Sequence, residues 1–582
     1  MRPLDREGWR TRRTASRALQ PGSAVRRALL SAWATGALLL NCLPARAAPP
    51  PPDAGQTLRE LQSPVAPEAP RTAPPLTVEG GGEAPSAAGV RFLIKGVRIV
   101  GNSAFPAAVL RALVANMVGS KHDLQEWRAA VARISRYYRD RGYPVARAYI
   151  PAQDIRNGVL TIAVIEGRLG KRLLENHSRL SSGHAASYLA YVREGAVIRS
   201  ADVDRSLLLL DDTPGVGGSR ATLQPGAEPG TSDLAITLAP AAALSGDVAV
   251  DNYGNRYTGE NRAAGTLNVN SPLRIGDQLT VSGLSTGDDL RYWQLAYQLP
   301  IGGDGWRVST SYYDTHYRLG RDFSALQAHG AASGATVSAG YPLILTQRSN
   351  LTVTTALERR HLIDYVDATA TVTEKHLYRA TAGLSATHRD DLGGGGLSSG
   401  TLALTAGDLD IDTPIARLID ELTADTDGRY LLLSAMASRL QRLTARTALS
   451  VSVTGQLADK NLDSSEQLSL GGAEGVRAYP EGEGIGDEGY LASVELRRTL
   501  RPALQAALFY DIGSIRASRF PFDPLVANSR TLGGAGISLS AGFHMLQIKA
   551  ALAWRTQGGQ PTSIPPWAAH TPTAWVQVRA AL

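Results

Sequence analysis

Three short patterns in the sequence match motifs of soluble enzymes and binding proteins. The most suggestive is a glycine-rich segment at residues 484–489. The run reads Gly-Ile-Gly-Asp-Glu-Gly and fits the fingerprint that cradles the pyrophosphate of a dinucleotide. That chemistry requires a strand before the glycines and a helix after them. Here Pro480 precedes the run and a segment with strand-like alternation follows it. A nucleotide site is therefore not expected.

The other two patterns lack the partners that their chemistry needs. Residues 388–390 read His-Arg-Asp, as in the catalytic loop of protein kinases, but no phosphate-binding loop lies upstream. Asp408, Asp410 and Asp412 could supply oxygen ligands to Ca²⁺, but the glycine and the terminal glutamate of a calcium loop are missing. No zinc-binding or Ser-His-Asp arrangement stands out. The sequence therefore predicts no catalytic, cofactor-binding or metal-binding residues, and we do not expect an enzyme.

The first 47 residues have the organisation of a secretory signal. Arginines dominate their start, an apolar run covers residues 28–43, and residues 45–47 read Ala-Arg-Ala, the small-x-small pattern of a cleavage site. Cys42, the single cysteine of the 582 residues, lies in this segment, and Asn41 before it disfavours a lipid anchor. We expect a signal peptide at residues 1–47 and an exported chain without disulfides.

The net charge of +7 is confined to that signal segment. The whole sequence has 60 basic and 53 acidic residues, and removing the nine arginines and two acidic residues of the first 47 positions leaves 51 of each. The remainder is formally neutral, so no basic field is left to attract a polyanion. Nucleic acid is not an expected partner.

Residues 48–89 are rich in proline, alanine and glycine, a composition typical of an extended linker. Residues 56–62 within it could form a short helix, and a plain disordered linker is the equal alternative.

Residues 90–167 have the pattern of a small α/β domain with the order strand, two helices, hairpin. The first helix is expected to be capped by Ser103 and the second to begin near Asp123. The turn Asn157-Gly158 favours a tight hairpin between the strands at residues 145–150 and 159–165. Residues 168–242 repeat this scheme less clearly, with a helix from about Ser200 and strands near residues 221–223 and 232–238.

From residue 243 to the end, the helical period gives way to strands that alternate apolar and polar residues between Gly, Asp and Asn turns. No apolar stretch after the signal reaches the ~18 residues of a membrane helix, so a membrane-spanning form would have to be a closed barrel. A soluble β-sandwich also alternates, but few reach this length. At about 20 residues per strand and turn, the region predicts about sixteen antiparallel strands. One outward face is expected to comprise Leu546, Ile548, Ala550, Leu552 and Trp554.

Residues 470–479, which read Leu-Gly-Gly-Ala-Glu-Gly-Val-Arg-Ala-Tyr, resemble the long-loop motif of two-partner secretion transporters, the haemolysin secretion/activation family of the POTRA-barrel superfamily. The family tetrad is Val/Ile-Arg-Gly-Tyr/Phe, and the chain has Val476, Arg477, Ala478 and Tyr479, so alanine replaces the glycine. The residues Phe509, Asp511 and Gly513 resemble the aromatic-x-Asp-x-Gly motif of the following strand; segments 214–216, 232–234 and 251–254 add support.

The resemblance covers nearly all of the chain after the signal. It implies two periplasmic polypeptide-transport-associated (POTRA) domains at residues 90–167 and 168–242, followed by an outer-membrane barrel at residues 243–582. One departure is the last residue, because such barrels usually end on an aromatic residue and this sequence ends on Leu582.

The resemblance also gives the loop arginine a partner. Strand alternation places Phe509 and Asp511 toward the lumen, together with Glu495 of the preceding strand. Taken alone, Arg477 would be an exposed loop arginine and Asp511 a solvated carboxylate. The resemblance implies instead that the loop folds into the barrel and that Arg477 pairs with Asp511, with Glu495 as the alternative partner.

The function that the resemblance implies is export of an unfolded exoprotein. POTRA domains would bind its amino-terminal secretion domain in the periplasm, and the barrel would conduct it through the outer-membrane lipid without nucleotide hydrolysis. The barrel-assembly machinery is the expected partner during insertion. Two alternatives remain open: an insertase of the same superfamily, which usually has more POTRA domains, and a general porin, which lacks them.

Overall fold

The computed structural model describes residues 51–62, 77–78, 90–155 and 157–582. The predicted signal peptide, and with it Cys42, lies outside the described residues. The first described elements are helix α1 (Ala54–Leu61) and the two-residue strand β1 (Thr77–Val78). None of the helices in the described ranges is long and apolar enough to span a membrane.

The first α/β unit is a three-stranded sheet covered by two helices. Strand β6 pairs in parallel with β3 and antiparallel with β5. The second helix begins after Asp123, as predicted, because Asp123 and Glu126 form a reciprocal capping box. Its elements are β2 (Phe92–Leu93), β3 (Gly96–Val100), α2 (Ala107–Ala112), β4 (Lys121–His122), α3 (Leu124–Arg139), β5 (Arg147–Tyr149) and β6 (Val159–Ile165).

The prediction that Ser103 caps the first helix is wrong. Helix α2 begins at Ala107 with Pro106 at its N-cap, and Ser103 instead donates its backbone N–H and its hydroxyl to the buried carboxylate of Glu166. Tyr138 donates to the same carboxylate at 2.7 Å. Burial raises the pKa of Glu166, but these hydrogen bonds outweigh burial and lower it overall. An ionised Glu166 thus fastens the loop before α2 to helix α3.

The prediction of a tight hairpin at Asn157-Gly158 is also wrong. Strands β5 and β6 are antiparallel neighbours, but Tyr149 pairs with Ala163, so a long connection lies between them. Asn157 and Gly158 do adopt the positive φ angles of 56° and 71° that such turns need. The carbonyl of Gly158 accepts from the backbone of Lys95, which draws this turn toward β3 and away from β5.

The second α/β unit has a four-stranded sheet in the order β1-β8-β9-β7. The predicted helix and the last two strands are present, whereas the first strand and a short helix were not predicted. Strand β1, from the predicted linker, adds to the edge of β8 in parallel. The elements are β7 (Arg168–Asn176), α4 (Ser182–Ser187), α5 (Ser200–Asp211), β8 (Val216–Pro225) and β9 (Thr231–Pro240).

The rest of the chain forms a closed antiparallel barrel of sixteen strands within the described residues. The first barrel strand pairs with the last, Val248 opposite Ala580, which closes the sheet and leaves no free edge. The strands are β10 (Leu244–Asp251), β11 (Arg262–Asn270), β12 (Gln278–Ser285), β13 (Leu290–Ile301), β14 (Trp306–Arg318), β15 (Ala328–Leu345), β16 (Ser349–Val366), β17 (Thr371–Asp390), β18 (Gly396–Ile411), β19 (Gly428–Arg442), β20 (Thr447–Ala458), β23 (Glu488–Arg501), β24 (Leu504–Arg516), β25 (Ser529–Phe543), β26 (Leu546–Gln557) and β27 (Thr573–Ala581).

Two of the barrel loops at the end opposite the α/β units contain further secondary structure. The loop between β18 and β19 holds helix α6 (Pro414–Leu422). The loop between β20 and β23, residues 459–487, is called the long loop and contains the short strands β21 (Leu468–Ser469) and β22 (Ile485–Gly486).

Alternate residues of the barrel strands face outward and inward, as the two-residue period predicts. On β24, Leu508 is 60% exposed and Tyr510 41%, while Phe509 between them is 5% exposed. On β26, Leu552 and Trp554 are exposed and Ala553 is buried. Apolar side chains that would be costly in water thus form the outer surface, which suits lipid.

The second α/β unit contacts the barrel turns next to it. Gly215 lies so close to Ser271 that a Cβ atom at Gly215 would be 2.7 Å from the serine Cβ, and its φ is +92°. Arg307 donates to the carbonyl of Asp212 at 3.0 Å, and Arg179 donates to that of Asn270 at 2.9 Å. Glycine at position 215 therefore permits this close approach.

Candidate functional site

The long loop folds back and is packed against the inner wall of the barrel. Leu470, Val476, Ala478 and Tyr479 are fully buried in a cluster with Phe509 and with residues of the last strands. The loop is held near its end by Glu483, whose carboxylate accepts from the backbone of Thr562 and Ser563 at 2.7–3.0 Å. Residues of a loop that would otherwise be solvated thus form a packed core inside the barrel.

The structure brings Arg477 and Asp511 together. Nε of Arg477 donates to Oδ2 of Asp511 at 2.8 Å, and Nη2 donates to Oδ1 at 2.7 Å. This is the bidentate arrangement that the planar guanidinium favours. The backbone N–H of Arg477 also donates to Asp511, at 3.2 Å, and the aspartate side chain is fully buried.

Glu495, the alternative partner predicted from the sequence, binds the same arginine at the same time. Nη1 of Arg477 donates to Glu495 at 2.6 Å, and Glu495 also accepts from Arg497 at 2.8 Å. Ser493 donates to Asp511 at 2.7 Å. One loop arginine therefore holds carboxylates from two adjacent strands, β23 and β24.

The other residues of the two motifs provide the space and surface for this contact. The ring of Phe509 lies under the guanidinium, 3.4 Å from its central carbon to the ring centroid, in a cation–π geometry. A Cβ atom at Gly513 would lie 2.7 Å from Leu470 of the long loop. Phe509, Asp511 and Gly513 share the inner face of β24, so each contacts the loop.

Alanine at position 478 fits in place of the glycine of the tetrad that this sequence resembles. Its backbone is not among the residues with positive φ, so the conformation does not require glycine. Its side chain packs over Gly534 of β25, where a Cβ atom would approach that of Ala478 to 2.5 Å. Tyr479 next to it donates to the carbonyls of Gln557 and Gly559 at 2.6 and 2.9 Å.

Helix α1 lies inside the barrel beside the long loop. Leu58 is fully buried against inward residues such as Tyr313 and Leu362. A Cβ atom at Gly55 would lie 2.3 Å from the hydroxyl of Ser464, so glycine allows helix and loop to touch. Of the two alternatives for this part of the linker, the structure has the helix.

A network of buried charges joins α1, the long loop and the barrel wall. Lys375 of the wall is 2.7 Å from Asp463 of the loop and 3.7 Å from Asp53, the N-cap of α1. Arg360 of the wall donates to Glu466 of the loop at 2.7 Å. These residues were not predicted from the sequence, although two charged side chains in the inward phase of β16 and β17 were a signal that could have indicated them.

Some of the lumen stays open. A cavity of about 510 Å³ lies between α1 and the long loop. Arg59 and Glu60 of α1 line one side of it, and Arg477 and Glu495 line the other. Its lining is largely charged and polar, so water can solvate it. Water in this cavity could compete with the polar contacts of α1 and the long loop, whereas their buried apolar residues pack against the barrel wall.

The three patterns set aside in the sequence analysis occupy barrel positions. Residues 484–489 include strand β22 and the first two residues of strand β23, and this strand, not a helix, continues after them. Asp390 ends β17 and binds Arg439. Asp408 and Asp410 lie on β18, and Arg417 binds Asp410.

Comparison with known proteins agrees with this architecture. The family model for the haemolysin secretion/activation protein ShlB/FhaC/HecB matches residues 230–540, more than half of the chain. The model for the ShlB-type POTRA domain matches residues 92–167.

Two relatives and two solved structures extend the match. The heme/hemopexin transporter protein HuxB of Haemophilus influenzae (strain ATCC 51907 / DSM 11121 / KW20 / Rd) is 29% identical over 80% of this chain and 84% of its own length. The outer membrane transporter CdiB of Dickeya dadantii (strain 3937) is 25% identical over 65% and 67%. The fold is shared with CdiB from Escherichia coli, with a TM-score of 0.69, 22% identity and coverage of 98% and 100%. It is also shared with CdiB from Acinetobacter baumannii, with a TM-score of 0.61, 18% identity and coverage of 96% and 98%.

Sequence motifs, a closed sixteen-strand barrel and preceding α/β units thus agree with the matched family. The chain belongs to the haemolysin secretion/activation protein family of outer-membrane transporters, with a β-barrel in the membrane and POTRA domains in the periplasm.

Proposed function

We propose that this chain captures an unfolded exoprotein in the periplasm and exports it through the lumen of its barrel. The observation that carries the proposal is that two segments, α1 and the long loop, occupy the lumen and are packed against its wall. Segments held by side-chain contacts can leave a channel without breaking the barrel's hydrogen-bonded ladder.

Capture would use strand edges of the POTRA domains, which we place at residues 90–167 and 168–242. Thr77 and Val78 pair in parallel with Thr222 and Leu223, so the edge of β8 accepts an extended segment of the chain itself. An unfolded amino-terminal secretion domain could add to such an edge by β-augmentation.

Export would need no nucleotide hydrolysis and no catalytic residue. Folding of the exoprotein after it emerges would make its passage one-way. A general porin is less favoured because the lumen holds α1 and the long loop. An insertase is less favoured because such proteins usually have more POTRA domains than the two α/β units that precede this barrel. Outer-membrane lipid and the barrel-assembly machinery complete the proposed set of partners.

Deletion of residues 90–242 tests the role of the POTRA domains. The shortened chain should still give a heat-modifiable barrel in the outer membrane, because the barrel strands pair only with one another. It should secrete no exoprotein into the medium of cells that produce both proteins. Secretion at the level of the full chain would refute the proposed capture.

A further inference from the structure

Three residues with metal-binding side chains meet on the outer surface of the barrel, on the face opposite their lumen-facing neighbours Arg360 and Lys375. His361 of β16 lies directly opposite His376 of β17, and Glu374 is two residues from His376 on the same face. One possible ligand atom from each residue lies within 4.8 Å of the other two. Their strand neighbours Arg360 and Leu377 are buried toward the lumen, so the three side chains point outward.

Contacts around the cluster already hold these side chains in place. Nε2 of His361 and Oε1 of Glu374 are 2.7 Å apart, and the two imidazole rings are stacked with centroids 4.6 Å apart. Nδ1 of His376 is 2.7 Å from Oδ2 of Asp412. The backbone N–H of Asp412 donates to the carbonyl of Glu374 at 2.9 Å, which extends the β17–β18 ladder and fixes Asp412.

The arrangement around His376 is the one that metal-bound histidines usually have. A ligating imidazole commonly donates its second N–H to a carboxylate, which fixes the ring and leaves the other nitrogen to bind the metal. Asp412 occupies that supporting position and leaves Nε2 of His376 free. Two imidazoles with one carboxylate suit Zn²⁺, which takes a water molecule as its fourth ligand, better than they suit Ca²⁺ or Mg²⁺.

We propose that His361, Glu374 and His376 bind one Zn²⁺ ion, with Asp412 as a positioning residue. The side chains are partly exposed, so the site is accessible from outside the barrel. Asp412 directly precedes Thr413, the N-cap of helix α6, whose apolar residues Ile415 and Leu418 are exposed. Bound zinc would therefore link β16 to β17 beside the start of the loop that carries α6.

Calorimetric titration of the purified full-length protein with ZnCl₂ tests the site, after treatment with EDTA and removal of any affinity tag. The wild type should bind one equivalent. His361→Ala and His376→Ala should each weaken binding by more than about 100-fold, and Asp412→Asn by about 10- to 100-fold, the usual effect of losing a supporting carboxylate.

The matched control is His388→Ala. His388 lies on β17, as His376 does, but it contacts Ser349 and is not part of the cluster. It should bind zinc as the wild type does. Heat-modifiable migration on gels should show that every variant has a folded barrel. Absence of a one-equivalent binding event, or equal zinc affinity of the wild type and the His361→Ala/His376→Ala double variant, would overturn the proposal.

Discussion

Arg477 connects the long loop to the barrel through its guanidinium group and its backbone. Its three guanidinium nitrogens bind Asp511, Glu495 and Ser493, while its own carbonyl accepts from the indole of Trp575 at 2.7 Å. Removing one partner of a fully buried ion pair costs about 3–5 kcal/mol. The side chain of Arg477 is 12% exposed to a hydrated lumen, so the cost here is smaller. We therefore expect the contact to act on the position of the loop more than on barrel stability.

The pairing predicts a non-additive effect on secretion. Arg477→Ala and Asp511→Ala should each impair export, and the double variant should be little worse than either single one, because both remove the same contact. Arg477→Lys should also fail, because an ammonium group cannot bind two carboxylates in a planar fork. The measurement is exoprotein in the medium, normalised to folded barrel. Independent, additive losses would mean that the two residues act separately.

A second prediction concerns the space at Gly513. Gly513→Val should displace Leu470 and loosen the long loop, since even a Cβ atom would approach Leu470 to 2.7 Å. The matched control is Gly542→Val on the neighbouring strand β25, where a Cβ atom would meet nothing within 4 Å. Protease cleavage of the long loop in the intact protein reports the difference. Equal cleavage of the two variants would contradict the packing described for Gly513.

The sequence predicted site residues that recur at a fixed spacing. It did not predict residues whose partners lie in a distant segment of the chain. Alternation and the motif of β24 were enough to predict Phe509, Asp511 and Gly513 as a lumen set. Arg360 and Lys375 were not predicted, because their partners in the long loop lie 106 and 88 residues away. Asp53, the N-cap of α1, is farther still from Lys375 in the sequence. Such contacts depend on a helix that enters the barrel, which local pattern does not reveal.

At the scale of single elements, the outward and inward faces of a strand should differ sharply in their tolerance of charge. Leu552→Arg on β26 should destabilise the barrel by about 2–4 kcal/mol if it lies near the membrane midplane, because lipid cannot solvate a guanidinium. Gln547→Arg on the inner face of the same strand should be mild. Unfolding in urea, with the barrel in lipid vesicles, measures both. Equal losses at the two positions would refute the facing assigned to β26.

Elements with strong local signals were predicted well, and those that depend on tertiary contacts were not. Helix α3 was located because a capping box and an apolar period are both local. The start of α2 was misplaced because Ser103 serves the buried Glu166, which lies 63 residues away. Strand β1 was missed because two residues have no period, and only the neighbouring β8 makes them a strand.

At the scale of the whole molecule, the sequence predicted a barrel of about sixteen strands behind α/β domains, and the structure confirms that fold. The number of strands followed from the length of the region, because each strand of such a barrel takes about 20 residues together with its turn. The position of α1 could not be predicted, since a short amphipathic helix within a linker fits a lumen or the periplasm equally well. Its contacts with Asp364, Ser464 and Gln467 place it inside the barrel.

The central claim is that the exoprotein passes through the lumen that α1 and the long loop occupy, and a crosslink between these segments tests it most directly. The side chains of Asp53 and Ser464 are in contact at 2.7 Å, so cysteines at both positions can be joined by a short thiol-to-thiol reagent. Cys42, in the predicted signal, is the sequence's single cysteine, so an exported chain would carry no competing thiol. The single variants Asp53→Cys and Ser464→Cys serve as controls.

The measurement is secretion of the exoprotein by cells that produce the Asp53→Cys/Ser464→Cys variant, before and after crosslinking. Our account predicts that secretion stops when the crosslink forms, while the barrel stays folded and the treated single variants continue to secrete. Secretion at an unchanged rate from a fully crosslinked barrel would contradict it, because the exoprotein would then leave by a path that α1 does not block.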